Sequence, residues 1–375
     1  MTTTYFAEQL FDGYRLLDNQ YFEVEGHTVV SVSGKPKGQP ATTLNGLVVP
    51  GFIDVQVNGG GGALFNATPT LDCLKTMMAA HSQFGTTAML PTLITDEIAV
   101  MQDVADTMAE AIASEALGIL GVHYEGPHLS VPKRGIHAEH FVRPISDAEL
   151  ALFCRKDLGI VKVTLAPENV PVDVIADLVK QGVLVSLGHS NANAETVNNA
   201  LAAGASCFTH LFNAMSPMTS REPGMVGSAL ADNASYCGLI VDHHHVHAQN
   251  CQLAIKVKTP QKIMLVTDAM AHVGCEQNTL PYFDTHITRV NDKLTVPGGT
   301  LAGSALDMAS AVRNSHRDLN IALTDALTMA TRTPAEFLGI DNKVGMLQQG
   351  YQADFAVLNN ELQVQSTWIK GKQIY

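Results

Sequence analysis

The strongest constraint on this chain is a repetition. Eight short apolar runs recur, at residues 51–57, 87–94, 117–124, 160–166, 183–188, 206–210, 236–242 and 262–268. Helix-like stretches separate most of them, among them TLDCLKTMMAAHSQFG, DEIAVMQDVADTMAEAIASEA and NAETVNNALAAGA. The runs are continuously apolar rather than alternating, which is the pattern of parallel strands covered on both faces. Strand–helix repetition on this scale predicts an α/β chain built as a (β/α)8 barrel, with an open doubly wound sheet as the alternative. In the third helical stretch, Asn191 or Asn193 is placed to cap the N-terminus, and Gly204 lies near the C-terminal end.

The two ends read differently. Residues 1–49 are β-rich around YFEVEGHTVVSVSG, and residues 344–375 return to β character in ADFAVL and LQVQSTWIKGKQIY. We expect these ends to pair into one small β domain, leaving 50–343 as the barrel. With 46% apolar and 16% charged residues in 375, the chain is too apolar for disorder and can build a sizeable core. No apolar run reaches the roughly 18 residues of a spanning helix, so no membrane partner is expected. The start, MTTTYFAEQLFDGY, lacks the basic and apolar regions of a signal peptide. Six cysteines without a Cys-x-x-Cys pair predict reduced thiols and a cytoplasmic setting. A formal charge of −13 argues against a nucleic-acid partner. It also requires that any anionic ligand be held by a local field, because net charge acts at long range.

Polar residues gather where the apolar runs end. Glu125 closes the third run in HYEGPH, His189 the fifth in LGHSNAN, His210 the sixth in THLFNAM, and Asp268 the eighth in VTDAM. In a (β/α)8 barrel all four reach the C-terminal mouth, where such barrels do their chemistry. Two imidazoles and one carboxylate match a three-ligand zinc set with an open position, leaving Asp268 free to carry a proton. Iron oxygenases use a similar set, usually on an all-β scaffold. The alternative for each residue alone is a cap or a satisfied polar group. Gln56 and Asn58, in QVNGGGG, are expected to donate hydrogen bonds into the mouth, and the glycines to allow a tight turn or close backbone approach. That loop is not a dinucleotide fingerprint, and PGGTLAGS at 297–304 lacks the lysine of a P-loop. In the run Asp242 to His247, one histidine is expected to face substrate. Of His123, His128, His137 and His140, most are expected to face solvent. His137 sits on a loop from which it can polarise a carbonyl. Arg221 is either a local cation or a surface ion pair. Lys162 is expected to be structural or salt-bridged.

Taken in order, VVPGFIDVQVNGGGG, GVHYEGPHL, SLGHSNA, THLFNAMSP, REPGMVGSAL, VTDAM and GTLAGSALDM resemble the N-acetylglucosamine-6-phosphate deacetylases of the amidohydrolase superfamily. The likeness runs from about residue 46 to the end and includes the tail GYQADFAVL. It implies a distorted (β/α)8 barrel with a small β-sandwich from both ends. It also implies removal of acetate from N-acetyl-D-glucosamine 6-phosphate with one divalent metal ion per chain: zinc, with iron, cobalt or manganese as alternatives. By resemblance, Glu125, His189 and His210 hold the metal, Asp268 is general base and acid, and His137 meets the acetamide carbonyl. Asn213, Ala214 and His245 help bind the sugar phosphate, Leu301, Ala302 and Gly303 line the sugar side, and Gln56 and Asn58, as donors into the mouth, are counted with the substrate-binding residues. Arg221 reaches the phosphate from a neighbouring subunit, which implies a homodimer. Where many amidohydrolases carry His-x-His and two metals, this chain has Gln56 and Asn58, which are poor zinc ligands beside imidazole. The resemblance is therefore to the single-metal branch.

Three other readings remain open on sequence. The substrate can be the C4 epimer, N-acetylgalactosamine 6-phosphate. A cyclic amidohydrolase of the dihydropyrimidinase kind is opposed by the missing His-x-His and bridging lysine. A non-catalytic barrel serving as a binding protein has no need of all four candidate groups.

Overall fold

The computed structural model describes residues 2–35 and 42–375. Eight parallel strands form its centre: Phe52–Val57, Thr86–Ile94, Gly121–Glu125, Ile160–Leu165, Leu184–Leu187, Cys207–Phe208, Tyr236–Leu239 and Ile263–Leu265. Each pairs with its neighbours in chain order, which a doubly wound sheet would not do. The ring closes through a parallel bridge between Val57 and Ala269, with Asp268 N donating to Gln56 O at 3.0 Å. The chain is thus a distorted (β/α)8 barrel, and the open-sheet alternative falls.

Helices wrap the ring because their apolar residues recur on one face. Ile98–Ala113 buries Met101, Val104, Ala105, Met108 and Ala111 at helical spacing. Asn193, not Asn191, caps Ala194–Ala202, its side chain accepting from Thr196 N at 2.9 Å. Gly204 follows with φ +106°, a conformation that suits glycine.

Both ends of the chain meet in one seven-stranded sheet. Thr42–Pro50 is its pivot, parallel to Thr2–Phe11 on one side and antiparallel to Phe355–Leu358 on the other. The sheet encloses its own apolar core, in which Tyr5, Phe22, Phe355 and Trp368 pack stacked or edge-to-face with ring centroids 5.1–5.8 Å apart. One element has no counterpart in the sequence reading. After the eighth barrel strand, Thr279–Tyr282, Thr285–Val290 and Lys293–Thr295 form a three-stranded antiparallel insert. Its Leu280, Tyr282, Ile287 and Leu294 pack against the rim of the barrel mouth.

All six cysteines are free thiols. No helix among the described residues is long and apolar enough to cross a membrane.

Candidate active site

The third, fifth, sixth and eighth strands deliver Glu125, His189, His210 and Asp268 to one end of the ring. His189, His210 and Asp268 have φ of +48°, +34° and +52°, in the left-handed region that non-glycine residues seldom occupy. Each lies two or three residues past the end of its strand, at Leu187, Phe208 and Leu265. Such backbone strain clusters at functional sites, and the packed barrel around it holds it in place.

Glu125, His189 and His210 converge. Glu125 Oε1 lies 3.3 Å from His189 Nε2 and 3.1 Å from His210 Nε2, and the two imidazole nitrogens are 2.9 Å apart. All three side chains are buried and their candidate ligand atoms lie within 4.8 Å of one another. His189 Nδ1 lies 2.8 Å from the carbonyl of Lys133. That bond puts the ring proton on Nδ1 and leaves the Nε2 lone pair facing the cluster, as metal-binding imidazoles are held. Converging lone pairs need a cation between them, so the donor set fits a divalent metal. Burial raises the Glu125 pKa, but nearby His189 and His210 outweigh it and hold the carboxyl well below its usual range.

Asp268 behaves in the opposite way. Burial, and after it the charge of Glu125, pushes its pKa up. Two carboxylates in one site, driven in opposite directions, is the arrangement that assigns one as a fixed anion and the other as a proton carrier. Gln56 Nε2 touches both, at 3.0 Å from Glu125 Oε1 and 3.2 Å from Asp268 Oδ1. Asn58 Nδ2 donates to Asp268 Oδ1 at 2.7 Å. The amides of Gln56 and Asn58 are therefore spent on carboxylates rather than aimed into open space. The glycines beside them serve close approach: a Cβ on Gly59 would sit 2.4 Å from Ala63 O.

His137 is buried. Its Nδ1 receives the Thr95 backbone N–H at 3.3 Å and lies 2.8 Å from Thr95 Oγ1. A backbone donor on Nδ1 favours the tautomer with the ring proton on Nε2. Burial, and then nearby His189, pushes the His137 pKa down to about 3, so the ring is a neutral donor. His123 and His128 are also fully buried, against the expectation of solvent exposure. His123 shares an inward face with Glu125, two residues on, and bonds Thr92 and Thr164. His140 is exposed. Lys162 is buried with its Nζ 3.4 Å from Val55 O, and forms no ion pair among the described residues.

A cavity of about 180 Å³ opens over these groups, lined by Asn58, Glu125, His137, His189, His210, Asn213, Ala214, His245, Asp268, Leu301 and Gly303 among others. Gln56 lies behind it, Ala302 is buried in the rim, and Arg221 stands exposed on the turn where Thr219 N donates to Glu222 O. Of the histidine run, His245 alone faces the cavity. Its Nδ1 lies 2.6 Å from the buried Asp242 carboxylate, whose other oxygen accepts the N–H groups of His244 and His245. His243 pairs with Asp318 at the surface and His247 caps a helix. Sequence reasoning missed Thr95 and the positioning part of Asp242. It also missed Ile94, Ile136 and Met270 in the lining. A threonine or aspartate at a strand end is a weak signal, and the apolar three look like core.

This is the site of a metal-dependent barrel hydrolase. The model of the amidohydrolase family matches residues 47–374. The chain belongs to that family. It is 52% identical over 331 residues to an N-acetylgalactosamine-6-phosphate deacetylase of Shewanella sp. (strain ANA-3), covering 88% of this chain and 84% of the relative. It is 35% identical over 325 residues to an N-acetylglucosamine-6-phosphate deacetylase of Haemophilus influenzae, covering 86% and 85%. The crystal structure of N-acetylglucosamine-6-phosphate deacetylase from Pasteurella multocida superposes with a TM-score of 0.96 at 34% identity, covering 100% of this chain and 99% of that one.

Proposed function

We propose that this chain removes acetate from N-acetyl-D-glucosamine 6-phosphate, giving D-glucosamine 6-phosphate. The observation that carries the reading is the pairing of a buried Glu125–His189–His210 donor set with Asp268, whose pKa is driven the other way. Glu125, His189 and His210 hold one divalent ion, which we assign as Zn2+. When bound, that ion supplies an acidified water and a polarised carbonyl. Asp268 takes the proton of the attacking water, and the amides of Gln56 and Asn58 orient its carboxylate. His137 donates from Nε2 to the developing oxyanion. The water oxygen bonds to the acetamide carbon, the C–N bond breaks, and Asp268 passes its proton to the leaving amine. Asn213, Ala214 and His245 bind the sugar phosphate, with Leu301, Ala302 and Gly303 along its sugar side. Arg221 completes the phosphate site of a neighbouring subunit in a homodimer, which accounts for a cation left exposed outside its own cavity. Six free thiols support a cytoplasmic setting.

A second reading has its own observation. The galactosamine-phosphate relative is 52% identical, whereas the glucosamine-phosphate relative from Haemophilus influenzae is 35% identical. Under this reading the preferred substrate is the C4 epimer. Acetate release from the two 6-phosphates, measured side by side with added Zn2+, Fe2+, Co2+ or Mn2+, tests both. A higher kcat/KM on the gluco epimer supports the first reading, and a higher value on the galacto epimer replaces it with the second. No acetate from either, with any metal, overturns both. About one tightly held metal per chain is expected, and two would point to binuclear chemistry.

A further inference from the structure

One side of the cavity carries no polar chemistry. Ile94 ends the second barrel strand, Ile136 precedes His137, and Met270 lies two residues past Asp268, and all three line the cavity. Ile94 and Met270 are 3% and 2% exposed, and they share a cluster with Leu280, Tyr282 and Leu294 of the three-stranded insert. Ile136 packs against the same cluster. The wall is held from behind. Tyr282 donates its hydroxyl to Ile136 O at 3.2 Å, and Met270 N donates to Ser304 O at 3.0 Å. Gly303 lies flat against Met270: a Cβ there would come within 2.7 Å of its Cγ.

The polar lining lies elsewhere around the mouth. Asn213 and Ala214 follow the sixth strand and His245 follows the seventh. A trigonal amide carbon has three substituents, and resting on the deacetylase reading each has a separate direction. The nitrogen leads to the sugar and its phosphate, toward Asn213 and His245. The oxygen faces His137 Nε2 and the metal ligands. The remaining substituent is the acyl chain, and the remaining face is the apolar one. We infer that Ile94, Ile136 and Met270 form the acyl subsite and limit this enzyme to short N-acyl groups. Of the groups on a 2-acetamido sugar phosphate, the acyl methyl alone is wholly apolar, so this wall selects it without a hydrogen bond.

The test compares N-acetyl, N-propionyl and N-butyryl hexosamine 6-phosphates on the metal-loaded enzyme, following release of the free acid. In a closed apolar pocket each added methylene is expected to lower kcat/KM by about tenfold or more. Met270→Ala and Ile94→Ala each open the wall and are expected to raise the butyryl-to-acetyl ratio of kcat/KM by about tenfold. Metal content and thermal unfolding check that each variant is folded, and Ile94→Val serves as a milder change with a smaller shift in the same direction. Folded variants that lose all three activities by one common factor would overturn the assignment. So would a wild-type enzyme indifferent to chain length. In both of those cases the deacetylase reading stands. A wild-type enzyme that releases no acid from any of these sugars sinks the deacetylase reading, and the acyl subsite with it.

Discussion

At the scale of single residues, burial and partners decide what each group can do. Asp268 is buried with a raised pKa, so it is the member of the carboxylate pair that can hold a proton. Asp268→Asn is expected to keep about one metal per chain and lose nearly all turnover. Near-normal turnover in that variant would remove Asp268 from the reaction. On the proposed mechanism Asp268 must be ionised to take the proton, so wild-type activity is expected to fall as pH drops through a pKa raised above the ordinary aspartate range. Asp54 gives a prediction about stability. It is wholly buried, and burial pushes its pKa up to about 7 despite hydrogen bonds from Thr267 and Gln56. The folded state therefore binds a proton that the unfolded state has released. Its contribution to stability is complete below the unfolded pKa and is lost as pH rises through about 7. Asp54→Asn removes that dependence. Denaturant unfolding of both proteins at pH 5 and pH 8 should show the variant gaining on wild type at pH 8 by on the order of 3 kcal/mol. An unchanged difference would mean that Asp54 is ionised throughout. The candidate metal ligands were legible in the sequence because Glu125, His189 and His210 close three separate apolar runs, a coincidence that a cap at any one of them would not produce. The roles of Gln56 and Asn58 were not, since an amide reads the same whether it meets a carboxylate or a substrate. Whether it does depends on Asp268, more than 200 positions away.

At the scale of elements, the same contrast holds. The eight barrel strands were readable because both their faces are buried, which writes continuous apolar runs. The helix Ala194–Ala202 was readable from its ends, and Asn193→Ala should cost about 1 kcal/mol of stability by losing the bond to Thr196 N. Equal chemical denaturation midpoints for variant and wild type would show that the cap is dispensable. The three-stranded insert was not readable. Its strands are short, and Thr285–Val290 buries Ile287 while leaving Thr285, His286 and Val290 exposed, so the apolar signal is too sparse to separate from a loop. Only contact with the barrel rim, made by residues scattered over several loops, reveals that it backs the cavity.

At the scale of the whole molecule, an acidic chain handles an anion by concentrating its cations. The formal charge of −13 sets the distant field, while the proposed metal acts within a few ångströms. The proposed homodimer makes Arg221 part of that local field. Arg221→Ala should raise KM for the phosphorylated sugar about tenfold or more and leave an unphosphorylated analogue little changed. Mixing Arg221→Ala chains with Asp268→Asn chains, after reversible dissociation, should restore activity above either parent, because a mixed dimer contains one complete site. Strict additivity of the two parents would place Arg221 within its own subunit. The terminal sheet also has a consequence in time. Thr42–Pro50 has one edge covered by Thr2–Phe11, but its other edge waits for Phe355–Leu358, about 300 residues later. At roughly 5–20 residues per second, the ribosome leaves that edge bare for about 15–60 s, longer than most single domains take to fold. Until the late strand arrives, its unpaired N–H and C=O groups are open to any other extended chain nearby. Nascent chains stalled before Phe355 are therefore the species in which chaperone capture or aggregation of this protein is to be sought.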